Sequence, residues 1–292
     1  MRRPNGDNLK IAIQSAGRLA DDSVALLEGA GIDFDAWSRK LFATARGFPL
    51  EILFVRDDDI PEFVSDGVAD LGIVGRNLVE EKEADVEEVL GLGFGRCRLV
   101  IAVPRGDGIR DVADLDGRRV ATSYPRTLAR YLEASGVAAS IVEIAGAAEL
   151  TPALDVADAV CDVVSTGTTL RMNDLVELTT VLESEAVLVA HPEARGEGAR
   201  GRAIERLTLR LRGQLAARRT KYVMANAPET AVERIREILP GLRAPTVVPL
   251  ADPGWVAIHA ALPEETFWDS IEAIRSAGAS EILVLPVEKL FR

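Results

Sequence analysis

Residues 149–170 read ELTPALDVADAVCDVVSTGTTL. Within them Asp162–Val164 is a short apolar strand that runs straight into Ser165-Thr166-Gly167-Thr168-Thr169. The residues beyond that turn favour a helix. A strand that ends in such a turn and enters a helix is half of a βαβ unit, so the segment points to an α/β protein. The turn also suggests a chemistry. Its backbone N–H groups and the positive end of a helix dipole favour an anion. Gly167 lets the chain approach a ligand closely, and Ser165, Thr166, Thr168 and Thr169 add hydroxyl donors. These parts suit a phosphate monoester without a lysine. The plainer alternative is a strand-to-helix turn in which a threonine caps the helix. Acids upstream weigh against it, because a carboxylate accepts two hydrogen bonds from a vicinal diol. Asp162, one short strand from the turn, is spaced to hold ribose hydroxyls. Glu149 can reach the same sugar. Asp158 either joins them or is a surface acid.

Working outward, strand and helix patterns alternate. Leu9–Ile13 reads as a buried strand, followed by a polar turn, Gln14–Gly17, and a helix carrying Leu19, Val24, Leu26 and Leu27. Leu50–Val55 is a strand, Asp59–Ser65 a short helix, and Asp70–Val74 a strand with Gly75 after it. A second unit begins near Cys97, with strands at Arg98–Val103, Arg119–Thr122 and Ser140–Ile144 and a helix at Pro125–Ala134. Val176–Leu182 and Ala186–Ala190 read as strands leading out of it. The expected layout is two-lobed and periplasmic-binding-protein-like: residues 1–97 with 182–206 in one lobe, 98–181 in the other, and a ligand cleft between them.

His191–Gly201 reads as an exposed bend, and Arg202–Arg218 as a linking helix. The last stretch, 215–292, is a domain of its own. Strand Lys221–Ala225, helix Glu229–Ile238, a stop at Pro240-Gly241, strands Thr246–Leu250 and Trp255–Ala260, helix Glu264–Ala277 and strand Glu281–Leu285 give the order βαββαβ. That is the ferredoxin-like, ACT-like arrangement.

The 292 residues carry a net charge of −12, which disfavours a broad nucleic-acid-binding face. An anionic ligand would need a locally positive site on this acidic body. With aromatics at 5 %, the cores must be built from Val, Leu, Ile and Ala. Cys97 and Cys161 lie beside apolar runs and lack CxxC spacing. Buried thiols in a reducing compartment are therefore expected, and a zinc site is not. Arg2–Asn8 reads as a mobile tail, with no export signal ahead of the first strand and no apolar run long enough to span a membrane. A cytoplasmic protein is expected.

The segment 149–170 closely resembles the signature of the ATP phosphoribosyltransferase family. Further blocks follow in family order: Gln14-Ser15-Ala16-Gly17-Arg18-Leu19, Val55-Arg56-Asp57-Asp58-Asp59-Ile60-Pro61, Asp70-Leu71-Gly72-Ile73-Val74-Gly75, Ala121-Thr122-Ser123-Tyr124-Pro125 and Ala244-Pro245-Thr246-Val247-Val248-Pro249-Leu250-Ala251. Each is weak alone; together they are specific. One departure stands out: Asp155 occupies a position that is usually glycine in the signature.

The resemblance implies transfer of a phosphoribosyl group from phosphoribosyl pyrophosphate to N1 of the adenine of ATP, opening histidine biosynthesis, with Mg2+ on the phosphates. It assigns Glu149 and Asp162 to the ribose hydroxyls and Ser165, Thr166, Gly167, Thr168 and Thr169 to the 5′-phosphate. It favours Arg18 as a catalytic contact to pyrophosphate. Arg56, Asp70, Gly72 and Tyr124 fall on the ATP or pyrophosphate side. Asp57–Asp59 reads either as a helix N-cap or as a metal-binding acid run; Tyr124 reads either as an adenine contact or as packing. The C-terminal domain matches the longer form of the family, expected to be a homo-oligomer (hexamer or dimer) inhibited by histidine near Asn226 and Thr246. Two readings compete: a non-catalytic two-lobed solute-binding protein, and a phosphoribosyltransferase that uses a free nucleobase.

Overall fold

The computed structural model describes residues 8–35, 41–196, 198–239, 241, 242 and 244–291. Residues 2–7 of the expected tail and Pro240 of the expected stop lie outside them. The chain divides into two compact units, the first reaching Arg206 and the second holding Leu207 onward together with Gly29–Gly31.

In the first unit, β1 (Leu9–Gln14), β2 (Phe42–Thr44), β3 (Leu50–Val55), β4 (Leu71–Gly75) and β5 (Glu87–Gly91) belong to one sheet. The strands β6 (Cys97–Pro104), β7 (Arg119–Thr122), β8 (Ser140–Glu143), β9 (Ala159–Val164) and β10 (Leu175–Ser184) form another. The chain then returns as β11 (Ala186–Ala190) to the first sheet, between β4 and β5. The orders are β2-β3-β1-β4-β11-β5 and β10-β6-β9-β7-β8. Two crossings, 92–96 and Glu185, thus join two α/β lobes. The helices are α1 (Ala20–Gly29), α2 (Ile60–Ser65), α3 (Arg76–Lys82), α4 (Pro125–Ser135), α5 (Thr168–Met172) and α6 (Ala199–Arg218), the last running on into the second unit.

Strand β1 pairs in parallel with β3 and β4, which fits its mostly apolar sequence, LKIAIQ. Leu9, Ile11 and Ile13 are fully buried, each contributing about 1.5–3 kcal/mol of burial. On one face α2 packs so close that a Cβ on Gly72 would lie 2.7 Å from Ile60 and 2.9 Å from Val64. The second lobe has its own core of Leu99, Ile101, Val120, Leu128 and Cys161, and both cysteines are buried free thiols. Strands β6 and β10 run longer than the expected Arg98–Val103 and Val176–Leu182, pairing out to Cys97 and Ser184. The expected bend at His191–Gly201 holds a 3-10 turn at Pro192–Arg195, and α6 begins at Ala199, three residues earlier than its reading.

Asp155 has φ +55, a left-handed conformation, which is why glycine suits the position. An aspartate tolerates it better than most residues. Arg119 steadies the turn, donating from Nη1 to the Asp155 carbonyl at 2.9 Å and from Nη2 to its carboxylate at 3.0 Å.

The second unit adds β12 (Thr220–Pro228), α7 (Val232–Ile238), β13 (Thr246–Pro249), β14 (Trp255–Pro263), α8 (Glu264–Ser276) and β15 (Ser280–Pro286). The antiparallel order β13-β14-β12-β15 is that of a ferredoxin-like domain. Its core joins Val223, Ala225, Ile258 and Leu262 to Ile235, Phe267 and Ile274 on the helices.

Candidate active site

In both lobes the carboxyl ends of the parallel strands face the cleft, the usual place for ligands in open α/β sheets. Strand β9 delivers Asp162 and then the turn. Gly167 has φ +71 and leads into α5. Glu149, Asp162, Ser165, Thr166, Gly167, Thr168 and Thr169 line one cavity, so the residues read for ribose and phosphate do come together. The Thr166 and Thr168 hydroxyls are 3.1 Å apart. Arg171 was missed by the sequence reading. Its guanidinium donates to the Thr166 carbonyl and to Thr168 Oγ1, both at 3.2 Å, and so brings a positive charge to the turn. Its position three residues beyond Thr168 on a helix was the available signal.

Asp162 accepts a 2.7 Å hydrogen bond from Val163 N–H. Burial, and the nearby Glu149 charge, raise its carboxyl above the usual carboxylate value, against that hydrogen bond. Two neighbouring acids in such a place suit hydroxyl groups better than a free anion. Asp158 is not among them. It accepts from Arg119 N–H at 2.8 Å and from the Arg119 guanidinium, and stands at the far end of β9.

On the facing lobe, Gln14 accepts from Leu19 N–H at 2.8 Å and shapes the turn before Arg18. Gly17 there has φ +113, and a Cβ would lie 2.5 Å from the Gln14 amide. Arg18 sits at the cleft end of β1 but donates to the Gly95 carbonyl at 2.7 Å, on a crossing. Arg56 follows β3, exposed, with no ion pair to any described residue. Asp57–Asp59 forms a 3-10 turn. Asp59 holds the N-cap place of α2 but makes no capping bond through its side chain. Asp57, Asp58, Ser123, Tyr124 and Glu143 line a second cavity between the lobes.

Two assigned residues are corrected. Asp70 lies at the amino end of β4, away from the cleft, only 2 % exposed. It accepts from Lys10 N–H at 2.8 Å and pairs with Arg200 at 3.3 Å. Gly72 is buried in mid-strand and makes room for α2. Both serve the fold.

The reading also missed contacts that cross between lobes. Glu81 of α3 accepts from Arg126 N–H, Thr127 N–H and Thr127 Oγ1 at 2.8–3.0 Å, filling the amino end of α4. Asn77 donates to the Tyr124 hydroxyl at 3.0 Å. A third cavity, beside the crossings, is lined by Arg76, Arg96, Arg98, Ser165 and Glu185. Two of its arginines already hold bidentate partners, Arg76 with Glu88 and Arg98 with Glu177.

In the second unit Asn226 and Thr246 fall on the sheet face opposite α7 and α8. Thr246 pairs with His259, and Asn226 with Ala257, so the two are separated by β14. Asn226 donates to Glu281, and the Tyr222 hydroxyl lies 3.0 Å from His259 Nδ1.

Among the described residues no helix is long and apolar enough to cross a membrane. Residues 56–213 match the family model described as ATP phosphoribosyltransferase, and residues 217–289 match the one described as HisG, C-terminal domain. A Cytophaga hutchinsonii protein named ATP phosphoribosyltransferase is 43 % identical over 97 % of this chain and 99 % of its own length. A Maricaulis maris protein of the same name is 45 % identical over 97 % of this chain and 98 % of its own length. Among solved structures, a chain of the "ATP phosphoribosyl transferase (HisG:HisZ) complex from Thermotoga maritima" is 28 % identical. It aligns with a TM-score of 0.60 over 70 % of this chain and 98 % of that one. The strand–turn–helix site, the two lobes and the C-terminal βαββαβ module thus agree with a match that spans nearly the whole chain, and the chain belongs to the ATP phosphoribosyltransferase family, pentosyltransferases of histidine biosynthesis.

Proposed function

We propose that the chain transfers the phosphoribosyl group of phosphoribosyl pyrophosphate to N1 of ATP, releases pyrophosphate, and is inhibited by histidine. The observation that carries this is the single cavity shared by Asp162, Glu149 and the Ser165–Thr169 turn. The turn takes the 5′-phosphate, with Arg171 adding charge. Asp162 and Glu149 take the ribose hydroxyls. The bond from C1′ to N1 forms as the bond from C1′ to pyrophosphate breaks, and its electron pair leaves on the pyrophosphate oxygen. Little covalent help is needed from the protein, so positioning and stabilisation of the leaving anion carry the rate. Arg56 and Arg18 stand at the cleft ends of β3 and β1 for that anion. Arg18 must first leave the Gly95 carbonyl.

Mg2+ fits as a companion of the substrate. Among the described residues no three His, Cys, Asp or Glu side chains converge into a cage, and Mg2+ is commonly held through substrate phosphates and waters. When bound it neutralises pyrophosphate charge. Histidine would bind on the open sheet face of the second unit, around Thr246 and Asn226. Cytoplasmic location and a homo-oligomeric state, hexamer or dimer, complete the proposal.

The test is turnover of ATP, phosphoribosyl pyrophosphate and Mg2+, with products weighed by mass spectrometry, with and without histidine. Phosphoribosyl-ATP that histidine suppresses is the expected result. A ribonucleotide formed only from a free nucleobase would show a different acceptor, and small-solute binding without turnover by the folded protein would show a binding protein.

A further inference from the structure

Asn77 is the second residue of α3, just after β4, and is 3 % exposed. From the first lobe it reaches two residues of the second, Ser184 at the end of β10 and Tyr124 just before α4. Its backbone N–H donates to Ser184 Oγ at 3.0 Å, and Ser184 Oγ–H donates back to Asn77 Oδ1 at 2.8 Å. Its Nδ2 faces the Tyr124 hydroxyl of the second lobe at 3.0 Å. Ser184 is 5 % exposed, so its proton needs an acceptor within the protein. Asn77 Oδ1 is that acceptor. Turning the amide over would put Nδ2 against an oxygen that already accepts from a backbone N–H, and would strand the serine proton. The amide is therefore oriented by its partners. Gly75 makes the arrangement possible, since a Cβ there would lie 2.4 Å from Asn77 Oδ1.

This orientation decides what Tyr124 can do. A phenol has one proton and accepts as well as donates. Tyr124 accepts from Asn77, so its own proton is left to point elsewhere. Burial holds the phenol protonated, with Asp162 and Asp58 acting in the same direction. Tyr124 lines the cleft with Asp58 and Ser123.

We infer that Asn77 is a positioning residue: from the first lobe it fixes the Tyr124 hydroxyl as an acceptor, so that the tyrosine presents its proton to an acceptor atom of the nucleotide in the cleft. This rests on the proposed transfer to ATP and on placing ATP, not pyrophosphate, in the cavity that Tyr124 lines. The element concerned is neither the phosphate turn nor the sugar acids, so its removal weakens one substrate and spares the other.

The decisive variant is Asn77→Asp. It is nearly isosteric and keeps an acceptor for Ser184, but it replaces the donor facing Tyr124 with an oxygen that takes the tyrosine proton. ATP affinity is measured by calorimetry, and KM for both substrates by turnover. The expected result is a loss of about tenfold in ATP affinity and a matching rise in KM for ATP, the size of one hydrogen bond. KM for phosphoribosyl pyrophosphate stays within about twofold. Tyr124→Phe should reproduce the effect, and Asn77→Asp should add less than about twofold in that background. A purely structural role would weaken both substrates alike, or the two changes would multiply, and either result overturns the inference. Unchanged ATP binding by Asn77→Asp overturns it too. If the buried aspartate prevents folding, Ser184→Ala releases the amide instead and must show the same ATP-specific loss, absent when Tyr124 is Phe. Wild-type protein that fails to bind ATP overturns the reading of the cavity, and the inference with it; ATP binding that is intact in wild type and in Asn77→Asp overturns the inference alone.

Discussion

Asp162→Ala is expected to lower kcat/KM for phosphoribosyl pyrophosphate by about 10²–10³-fold, the loss of two hydrogen bonds from a charged acceptor. The protein should remain folded. Asp162 makes one local bond, to Val163 N–H, and its burial works against its charge. Its folded pKa lies above the unfolded value, so the stability it contributes is fully present below the unfolded value of about 3.8 and is lost as pH rises through the folded pKa. At neutral pH the carboxylate is a liability for the fold. The isosteric Asp162→Asn should therefore melt at the same temperature as wild type or higher at pH 7, and lose that advantage near pH 4. Kinetics and melting curves at the two pH values check both halves. Normal kinetics in a folded Asp162→Ala protein would remove the residue from the sugar site; a collapse of stability at pH 7 would make it a structural acid.

Gly167→Val is the second large effect. The position has φ +71, where a β-branched residue is an outlier costing roughly 1–2 kcal/mol. A Cβ would also press to 3.2 Å from Arg171 Nη1 and 3.3 Å from Glu177 Oε1, disturbing the guanidinium that spans Thr166 and Thr168. The turn would lose both its backbone path and its added charge. A loss of about 100-fold or more in kcat/KM for phosphoribosyl pyrophosphate is expected, equivalent to about 2.7 kcal/mol. ATP binding measured alone should change little. Normal turnover at low phosphoribosyl pyrophosphate would show that the chain does not need close approach to a phosphate there.

The sequence was most legible where period and polarity agreed. Strands β3, β7 and β11 were read to the residue because each holds an apolar stretch flanked by polar or turn-forming residues. The C-terminal βαββαβ order was readable for the same reason. Strand β2 is three residues long, and β5 begins with two exposed glutamates, so neither shows an apolar period. Helix α3, Arg-Asn-Leu-Val-Glu-Glu-Lys, was missed because its meaning is not local. Asn77 finds its partners 47 and 107 residues away, and Glu81 finds Thr127 46 residues away. Asp70 and Gly72 were misplaced for a different reason. A matching block marks a strand, but only the assembled sheet shows which end of it faces the cleft. For Asp158 the plainer of the two readings held: it stands just before β9, paired with Arg119, while Asp162 lies further along the strand toward the turn. At Asp155 a φ of +55 satisfies the demand that glycine usually meets.

The measurement that tests the central claim most directly is a crystal structure with phosphoribosyl pyrophosphate and Mg2+. The account predicts the 5′-phosphate within hydrogen-bond distance of the Ser165–Thr169 turn and Arg171, with the ribose hydroxyls on Asp162 and Glu149. A 5′-phosphate seated instead among Arg76, Arg96 and Arg98 beside the crossings, with Asp162 empty of sugar, would contradict it.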